Sequence, residues 1–105
     1  MEIQNPYIIR SIYVQPGKQP VEQYLNGTEA QIEDLVDGRI ASIGVDEGIC
    51  VFYNAFGEVL KMPENRSIFN QKFYGSFVVA GFDEFGNILS LSDDNYDYFA
   101  DLLKL

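Results

Sequence analysis

Residues 28–53, TEAQIEDLVDGRIASIGVDEGICVFY, decide the fold because a helix pattern and a strand hairpin follow each other there without a linker. Thr28 is a favourable N-cap, and Gln31 three residues later completes a capping box. The apolar stripe of the helix, at the spacing i, i+3 and i+4, is formed by Ile32, Leu35 and Val36. Gly38 supplies the left-handed position that ends a helix. The stretch therefore predicts a surface helix between Thr28 and Gly38.

Two strands follow this helix. Runs rich in apolar and β-branched residues lie at Arg39–Val45 and Ile49–Tyr53, and the acidic turn Asp46-Glu47-Gly48 joins them. A short connection that ends in glycine between two such runs is typical of a β-hairpin. Cys50, the only cysteine, lies inside the second run, where we expect a buried and unreactive thiol.

Further strands are predicted on both sides of the hairpin. They span Tyr7–Val14, Glu58–Lys61, Tyr74–Phe82 and Ile88–Leu91. Pro20 discourages a helix just after it, so Val21–Leu25 is predicted to be extended or irregular. Pro63 cannot donate to a sheet ladder, and we therefore expect Met62–Arg66 to interrupt regular structure.

The chain ends in a second predicted helix, with Ser92 as its N-cap. Its buried stripe at helical spacing is formed by Tyr96, Phe99, Ala100 and Leu103. The order of elements is then one strand, a helix, several strands and a helix. This order predicts a single α+β domain over residues 1–105, with an antiparallel or mixed sheet covered on one face by two helices.

The composition narrows the function. The 105 residues carry a formal net charge of −9 and no histidine, which argues against direct contact with nucleic acid and with anionic membranes. The first six residues have no basic stretch followed by an apolar one, so we expect no signal peptide. No apolar run approaches the roughly 20 residues that a membrane crossing needs. We therefore expect a cytoplasmic protein.

The residues that most often do chemistry are scarce. Without histidine, the commonest general base and the Ser-His-Asp and Cys-His arrangements are absent. Asp93-x-Asn95-x-Asp97 matches the first half of a calcium loop, but Tyr98 stands where that loop needs glycine. We therefore expect no metal, no cofactor and no enzymatic activity.

Two rows of carboxylates are the most informative surface feature. The rows on the predicted helices consist of Glu29, Glu33 and Asp37 on the first and of Asp93, Asp94, Asp97 and Asp101 on the second. A solvated helix face explains such rows simply. They also suit contact with a basic partner protein, with Tyr98 as an apolar anchor, and their spacing would allow imitation of a nucleic-acid backbone.

Two other hypotheses come from different classes. Arg66 and Lys18 could bind a small anion such as a nucleotide, with stacking from Tyr53 or Tyr74. The simpler explanation for Arg66 is a structural tie to an acidic residue or to loop carbonyls. A structural homo-oligomer is the third hypothesis, and its interface would use the exposed aromatics Phe56, Phe85 and Tyr98.

Several short motifs follow one another along the chain. They are Val14-Gln15-Pro16-Gly17-Lys18, Tyr53-Asn54-Ala55-Phe56-Gly57-Glu58-Val59-Leu60, Pro63-Glu64-Asn65-Arg66, Tyr74-Gly75-Ser76-Phe77-Val78-Val79-Ala80-Gly81 and Ser90-Leu91-Ser92. In this order, from about residue 8 to 100, the chain resembles a bacterial and phage family known as domain of unknown function 3846. Phe56 departs from it, because family members often carry a charged turn residue there.

The resemblance implies a setting rather than an activity. Such proteins are similar to small accessory products of phages, plasmids and conjugative elements, so a bacterial mobile element is expected. Combined with the acidic rows, this gives the leading hypothesis of a non-enzymatic binding protein. Its partner would be a host protein, such as a basic nucleic-acid-binding or defence factor.

Overall fold

The computed structural model describes residues 8–105, which form strands and two helices. The strands are β1 (Ile9–Val14), β2 (Val21–Leu25), β3 (Ile40–Asp46), β4 (Ile49–Asn54), β5 (Glu64–Ile68), β6 (Gln71–Tyr74), β7 (Phe77–Phe82) and β8 (Ile88–Leu89). The helices are α1 (Glu29–Val36) and α2 (Asp93–Leu102). The predicted strand start at Tyr7 and the segment examined for a signal peptide lie outside the described residues.

The main sheet is antiparallel. It has six strands, in which β2, β1, β7, β4 and β3 lie side by side in this order and β8 pairs with the end of β7. Strands β5 and β6 form a separate antiparallel hairpin. Val79 of β7 lies between Ile12 of β1 and Val51 of β4, so β7 is the central strand. The predicted α+β class with an antiparallel sheet is confirmed.

The two helices lie on opposite faces of this sheet, so the prediction that both cover one face is wrong. Val78 packs with Ile32 of α1, whereas the next residue, Val79, packs with Phe99 of α2. Successive side chains of a strand point to opposite faces. The first five residues of β7 are all buried, and such a continuous apolar run is typical of a strand covered on both sides.

The segment after β4 forms a turn instead of the predicted strand Glu58–Lys61. The amide of Leu60 donates to the carbonyl of Phe56 at 2.8 Å, a helix-like bond. Lys61 then takes a left-handed φ of 57°. Val59 and Leu60 stay exposed, because no core surface is available on which a strand here could pack.

The predicted interruption at Met62–Arg66 is wrong as well, because β5 begins at Glu64. Pro63 stands just before the strand, so its missing N–H costs no ladder bond. Its carbonyl accepts a hydrogen bond from the amide of Gly75 at 2.7 Å. Gly75, at a φ of 78°, also separates β6 from β7, where the sequence predicts one strand from Tyr74.

Helix α1 begins as predicted but ends one residue early. The Thr28 hydroxyl accepts from the Gln31 amide at 3.3 Å, whereas the Gln31 side chain accepts from Asn26 and not from Thr28. The left-handed residue is Asp37, at a φ of 61°, rather than Gly38. Gly38 is required for another reason: a Cβ there would lie 2.8 Å from Nδ2 of Asn54.

Helix α2 matches the sequence closely. The Ser92 hydroxyl accepts from the Asn95 amide at 3.1 Å, as an N-cap does. Phe99 and Leu103 are fully buried against the sheet, and Tyr96 and Ala100 are partly buried beside the same cluster. The predicted inner stripe is therefore confirmed, and the opposite side of the helix is left at the surface.

The close approach at Gly38 can be tested by substitution. Asn54 is buried and donates to the carbonyls of Val36 (3.1 Å) and Asp37 (3.2 Å), so Gly38→Ala displaces a side chain that caps α1. We expect a loss of about 2–4 kcal/mol of unfolding free energy in urea titrations, from about 1–3 kcal/mol for a side chain at the positive φ of 154° plus the broken hydrogen bonds.

Gly17→Ala is the matched control, because Gly17 also has a positive φ, 74°, but a Cβ there meets no atom within 4 Å. This variant carries only the backbone penalty of about 1–2 kcal/mol. Equal losses in the two variants would contradict the role given to Asn54.

Candidate functional site

The outer side of α2 presents carboxylates around two apolar side chains. These residues are Asp94, Asp97, Tyr98, Asp101 and Leu102. At 100° per residue they fall within about 140° of arc, on the side of the helix away from its buried stripe. Tyr98 is 52% exposed. The Tyr98 ring contacts the ring of the buried Phe99 edge to face, with the ring centroids 5.0 Å apart. Tyr98 is therefore packed against a residue of the core.

Phe69, in the turn between β5 and β6, extends this surface. Its ring centroid lies 6.4 Å from that of Phe99, and the side chain is 51% exposed. Its backbone has a left-handed φ of 54°, at the first of two turn residues, a position that glycine usually takes in a tight hairpin turn. We define the α2 surface by its members: Phe69, Asp94, Asp97, Tyr98, Asp101 and Leu102.

Asp93 is set apart from the other predicted contacts on α2 because it is tied to the sheet. Its Oδ1 lies 2.8 Å from Nη1 of Arg10. Nε of Arg10 lies 2.6 Å from Oε2 of Glu22, and the guanidinium stacks 3.8 Å from the ring centroid of Tyr96. The hydrogen bond between Arg10 and Glu22 raises the pKa of Arg10 and lowers that of Glu22. Asp93 thus has a partner on β1, unlike Asp94 and Asp97.

The other carboxylates of α2 are exposed. Asp101 faces Lys104 at 3.5 Å, with both side chains largely in solvent, and exposed pairs of this kind contribute little. Among residues 8–105, the ion pairs include neither Asp94 nor Asp97. These side chains therefore keep their charge available to a partner.

The predicted row on α1 does not join the α2 surface. Glu29, Glu33 and Asp37 are exposed, but α1 lies across the sheet from α2. Asp37 also ends the helix in the left-handed conformation. One flat partner surface cannot contact both rows at once.

Arg66 is a structural tie. Its Nε donates to the carbonyl of Leu103 at 2.9 Å and its Nη1 to that of Gln15 at 2.9 Å. Its Nη2 donates to the carbonyl of Lys18, and burial lowers its pKa. The guanidinium thus joins β5, the turn after β1 and the end of α2, in agreement with the simpler explanation of a tie to loop carbonyls.

The residues of the anion hypothesis do not form one site. Tyr53 and Tyr74 line a cavity of about 330 Å³ together with Lys72, and neither Arg66 nor Lys18 lines it. Lys72 is paired with Glu64 at 3.3 Å. The stacking residues and the proposed cations therefore lie at different places on the molecule.

The thiol of Cys50 is shielded from solvent. Cys50 is buried, and burial raises the pKa of its thiol to about 11. Within residues 8–105, no group of three or more His, Cys, Asp or Glu side chains is arranged to hold a metal ion. Neither helix of this region has the length and apolar character that a membrane crossing requires.

The Arg66 tie predicts a large effect of its removal. In Arg66→Met the carbonyls of Gln15, Lys18 and Leu103 lose their shared donor. We expect a loss of roughly 2–4 kcal/mol of unfolding free energy, which is less than three times the roughly 1.5–3 kcal/mol of one hydrogen bond to a charged group, because water replaces the donor at the partly exposed carbonyls. Chemical denaturation measures it. Lys104→Met is the matched control at the same end of the molecule, because it removes only an exposed cation. A similar stability for both variants would count against the tie.

Two members of the α2 surface, Phe69 and Leu102, are not singled out by the sequence; Leu102 follows from its place on the helix, whereas Phe69 lies outside it. The only local signal for Phe69 is an aromatic residue before Asn70 in a turn, and its place near α2 follows from tertiary packing.

A family model described as Domain of unknown function (DUF3846) matches residues 9–104. No curated protein and no solved structure matches the chain.

Proposed function

The chain belongs to the DUF3846 family, and we propose that it is a non-enzymatic binding protein that holds a basic partner protein against the α2 surface. The proposed setting is the bacterial cytoplasm, with a phage or another mobile element as the source and a host protein as the partner. Binding is stoichiometric, and its consequence for the partner is occlusion of a basic surface.

The observation that carries this proposal is the strained backbone of Phe69. A left-handed φ is unfavourable for a bulky residue, and such strain persists where the surrounding structure or a function requires it. About half of Phe69 lies in solvent, as does half of Tyr98, and both rings contact the ring of the buried Phe99. Exposed aromatic residues on a rigid support are the typical energetic centres of protein interfaces.

The charges around this pair specify the chemistry of the partner. Asp94, Asp97 and Asp101 lie on the same side of α2 as Tyr98, and the whole chain carries a net charge of −9. A field of this sign accelerates encounter with a basic surface and repels acidic ones. The fitting partner therefore has Lys and Arg residues around an apolar pocket, as nucleic-acid-binding proteins do.

The first test compares two charge reversals of equal size. The bait variant Asp94→Lys/Asp97→Lys/Asp101→Lys changes the α2 surface, and Glu29→Lys/Glu33→Lys/Asp34→Lys changes the far face of α1 by the same net charge. Wild-type protein is used as bait in bacterial lysate at low and high salt, with mass spectrometry as the readout. We expect one dominant basic protein, lost at high salt and lost with the α2 variant.

The α1 variant is expected to retain most of the captured protein, because α1 lies on the opposite side of the sheet. Equal loss with both variants would show that net charge alone governs capture. Capture that survives the α2 variant, or an empty wild-type experiment at low salt, would contradict the proposal.

The second test removes the strained aromatic. Phe69→Gly deletes the ring and relieves the left-handed backbone, and we expect stability within about 1 kcal/mol of wild type because strain of about 1–3 kcal/mol offsets the lost contact with Phe99. Partner affinity, measured by calorimetry or interferometry with the captured protein, is expected to fall at least tenfold, as for a central aromatic contact.

Phe85→Gly is its matched control. Phe85 is 81% exposed and lies in the turn between β7 and β8, away from α2. This variant should bind as wild type does. A Phe69→Gly protein that binds equally well would remove Phe69 from the interface.

A further inference from the structure

Strand β3 is an edge of the main sheet with an unusual sequence for that place. Within residues 8–105 it pairs with β4 alone. Its seven residues, IASIGVD, contain no lysine or proline, the residues with which natural proteins usually protect an edge. A β-bulge between Gly44 and Asp46 disturbs only the last part of the strand.

The register identifies the backbone groups that point away from the sheet. The carbonyl of Arg39 accepts from the amide of Ala55 at 2.7 Å, and hydrogen-bonded pairs alternate along an antiparallel ladder. Ala41 and Ile43 therefore bond to β4, opposite Tyr53 and Val51. The N–H and C=O groups that point outward belong to Ile40, Ser42 and Gly44.

We infer that this edge pairs with β3 of a second copy of the chain, antiparallel and centred on Ile43. In that register Ser42 of each copy lies opposite Gly44 of the other. The outward-pointing backbone N–H and C=O groups of these two residues then form hydrogen bonds between the copies. The half-buried side chains of Ala41, Ile43 and Val45 form a cross-strand apolar row, with Ile43 opposite itself. The main sheets of the two copies would then form one continuous antiparallel sheet across the paired β3 strands.

Charge complementarity selects a second copy as the occupant. Exposed Arg39 precedes the strand and exposed Glu47 follows it, and each is four residues from Ile43 along the chain, with the bulge on the Glu47 side. A two-fold axis at Ile43 places Arg39 of each copy beside Glu47 of the other, so the attraction occurs twice. If the axis lay at Ser42 instead, Arg39 would lie opposite Val45 and the charge pair would be lost. If one strand were shifted by a single residue, the outward-pointing backbone groups of one copy would face residues of the other whose groups already bond to β4.

This inference goes beyond the proposed function, because it uses a different part of the molecule. Antiparallel pairing about an axis perpendicular to the sheet keeps the same face of both copies on one side. The dimer therefore presents two α2 surfaces in the same direction. Since one strand edge buries less area than a standard interface of about 1,600 Å², we expect dissociation in the micromolar range or weaker.

The test is a charge swap followed by sedimentation equilibrium at about 0.15 M salt, where net repulsion between the acidic copies is screened. Wild type is expected to show a monomer–dimer equilibrium. Arg39→Glu and Glu47→Lys should each weaken dimerisation at least tenfold, and the double variant Arg39→Glu/Glu47→Lys should return to within about threefold of wild type. Asp97→Lys, which makes the same charge change as Glu47→Lys but on α2, should dimerise as wild type does.

A backbone variant gives independent evidence. Ser42→Pro removes an outward N–H without removing a bond to β4, so it should abolish the dimer while the circular dichroism spectrum and Tm stay close to wild type. A wild type that is monomeric up to about 1 mM overturns the inference, and so does failure of the double variant to recover. Loss of the dimer in Tyr98→Ala with retention in Arg39→Glu would place the interface on the exposed aromatics instead.

Discussion

The burial of β7 on both faces is the constraint on which the rest of the structure depends. A strand whose side chains are apolar in both directions needs one cover on each side. Helix α1 supplies one through Ile32 and Val36, and α2 supplies the other through Phe99 and Leu103. The two helices are therefore separated by the sheet, and the acidic rows they carry face opposite directions. This separation makes α2 a surface of its own instead of half of a larger one.

The inner side of α2 is fixed at both ends, which leaves its outer side free for recognition. Arg10 holds Asp93 at the start of the helix, and Arg66 holds the carbonyl of Leu103 at its end. Neither guanidinium group pairs with an outer carboxylate: among the described residues Asp101 has Lys104 as its ion-pair partner, and the ion pairs include neither Asp94 nor Asp97. Arg10 and Arg66 thus hold the helix in place, while Asp94, Asp97 and Asp101 lie on the exposed side.

Local sequence patterns predicted the helices and most of the strands. The arrangement of these elements depends on tertiary packing, which local patterns do not encode. Caps at Thr28 and Ser92 were predictable because a hydroxyl bonds an amide only three residues away. The hairpin at Asp46-Glu47-Gly48 and the inner stripe of α2 follow from equally short patterns. The faces occupied by the helices, the use of Arg66 as a tie and the neighbourhood of Phe69 and Tyr98 depend on contacts between residues far apart in sequence. Of the candidate surface, the sequence therefore indicated the carboxylates and Tyr98 on α2 and missed Leu102 and the residue in the turn, Phe69.

The central place of β7 also has a consequence for synthesis of the chain. Strand β7 lies late in the sequence, yet β1 and β4 both require it as a neighbour. A growing polypeptide on the ribosome exposes β1, β2 and the β3–β4 hairpin before the strand that unites them has emerged. Long-range pairings of this kind have a high contact order and form slowly. The domain consequently has to fold after most of its length has been translated, and its early strands lack their central neighbour until then.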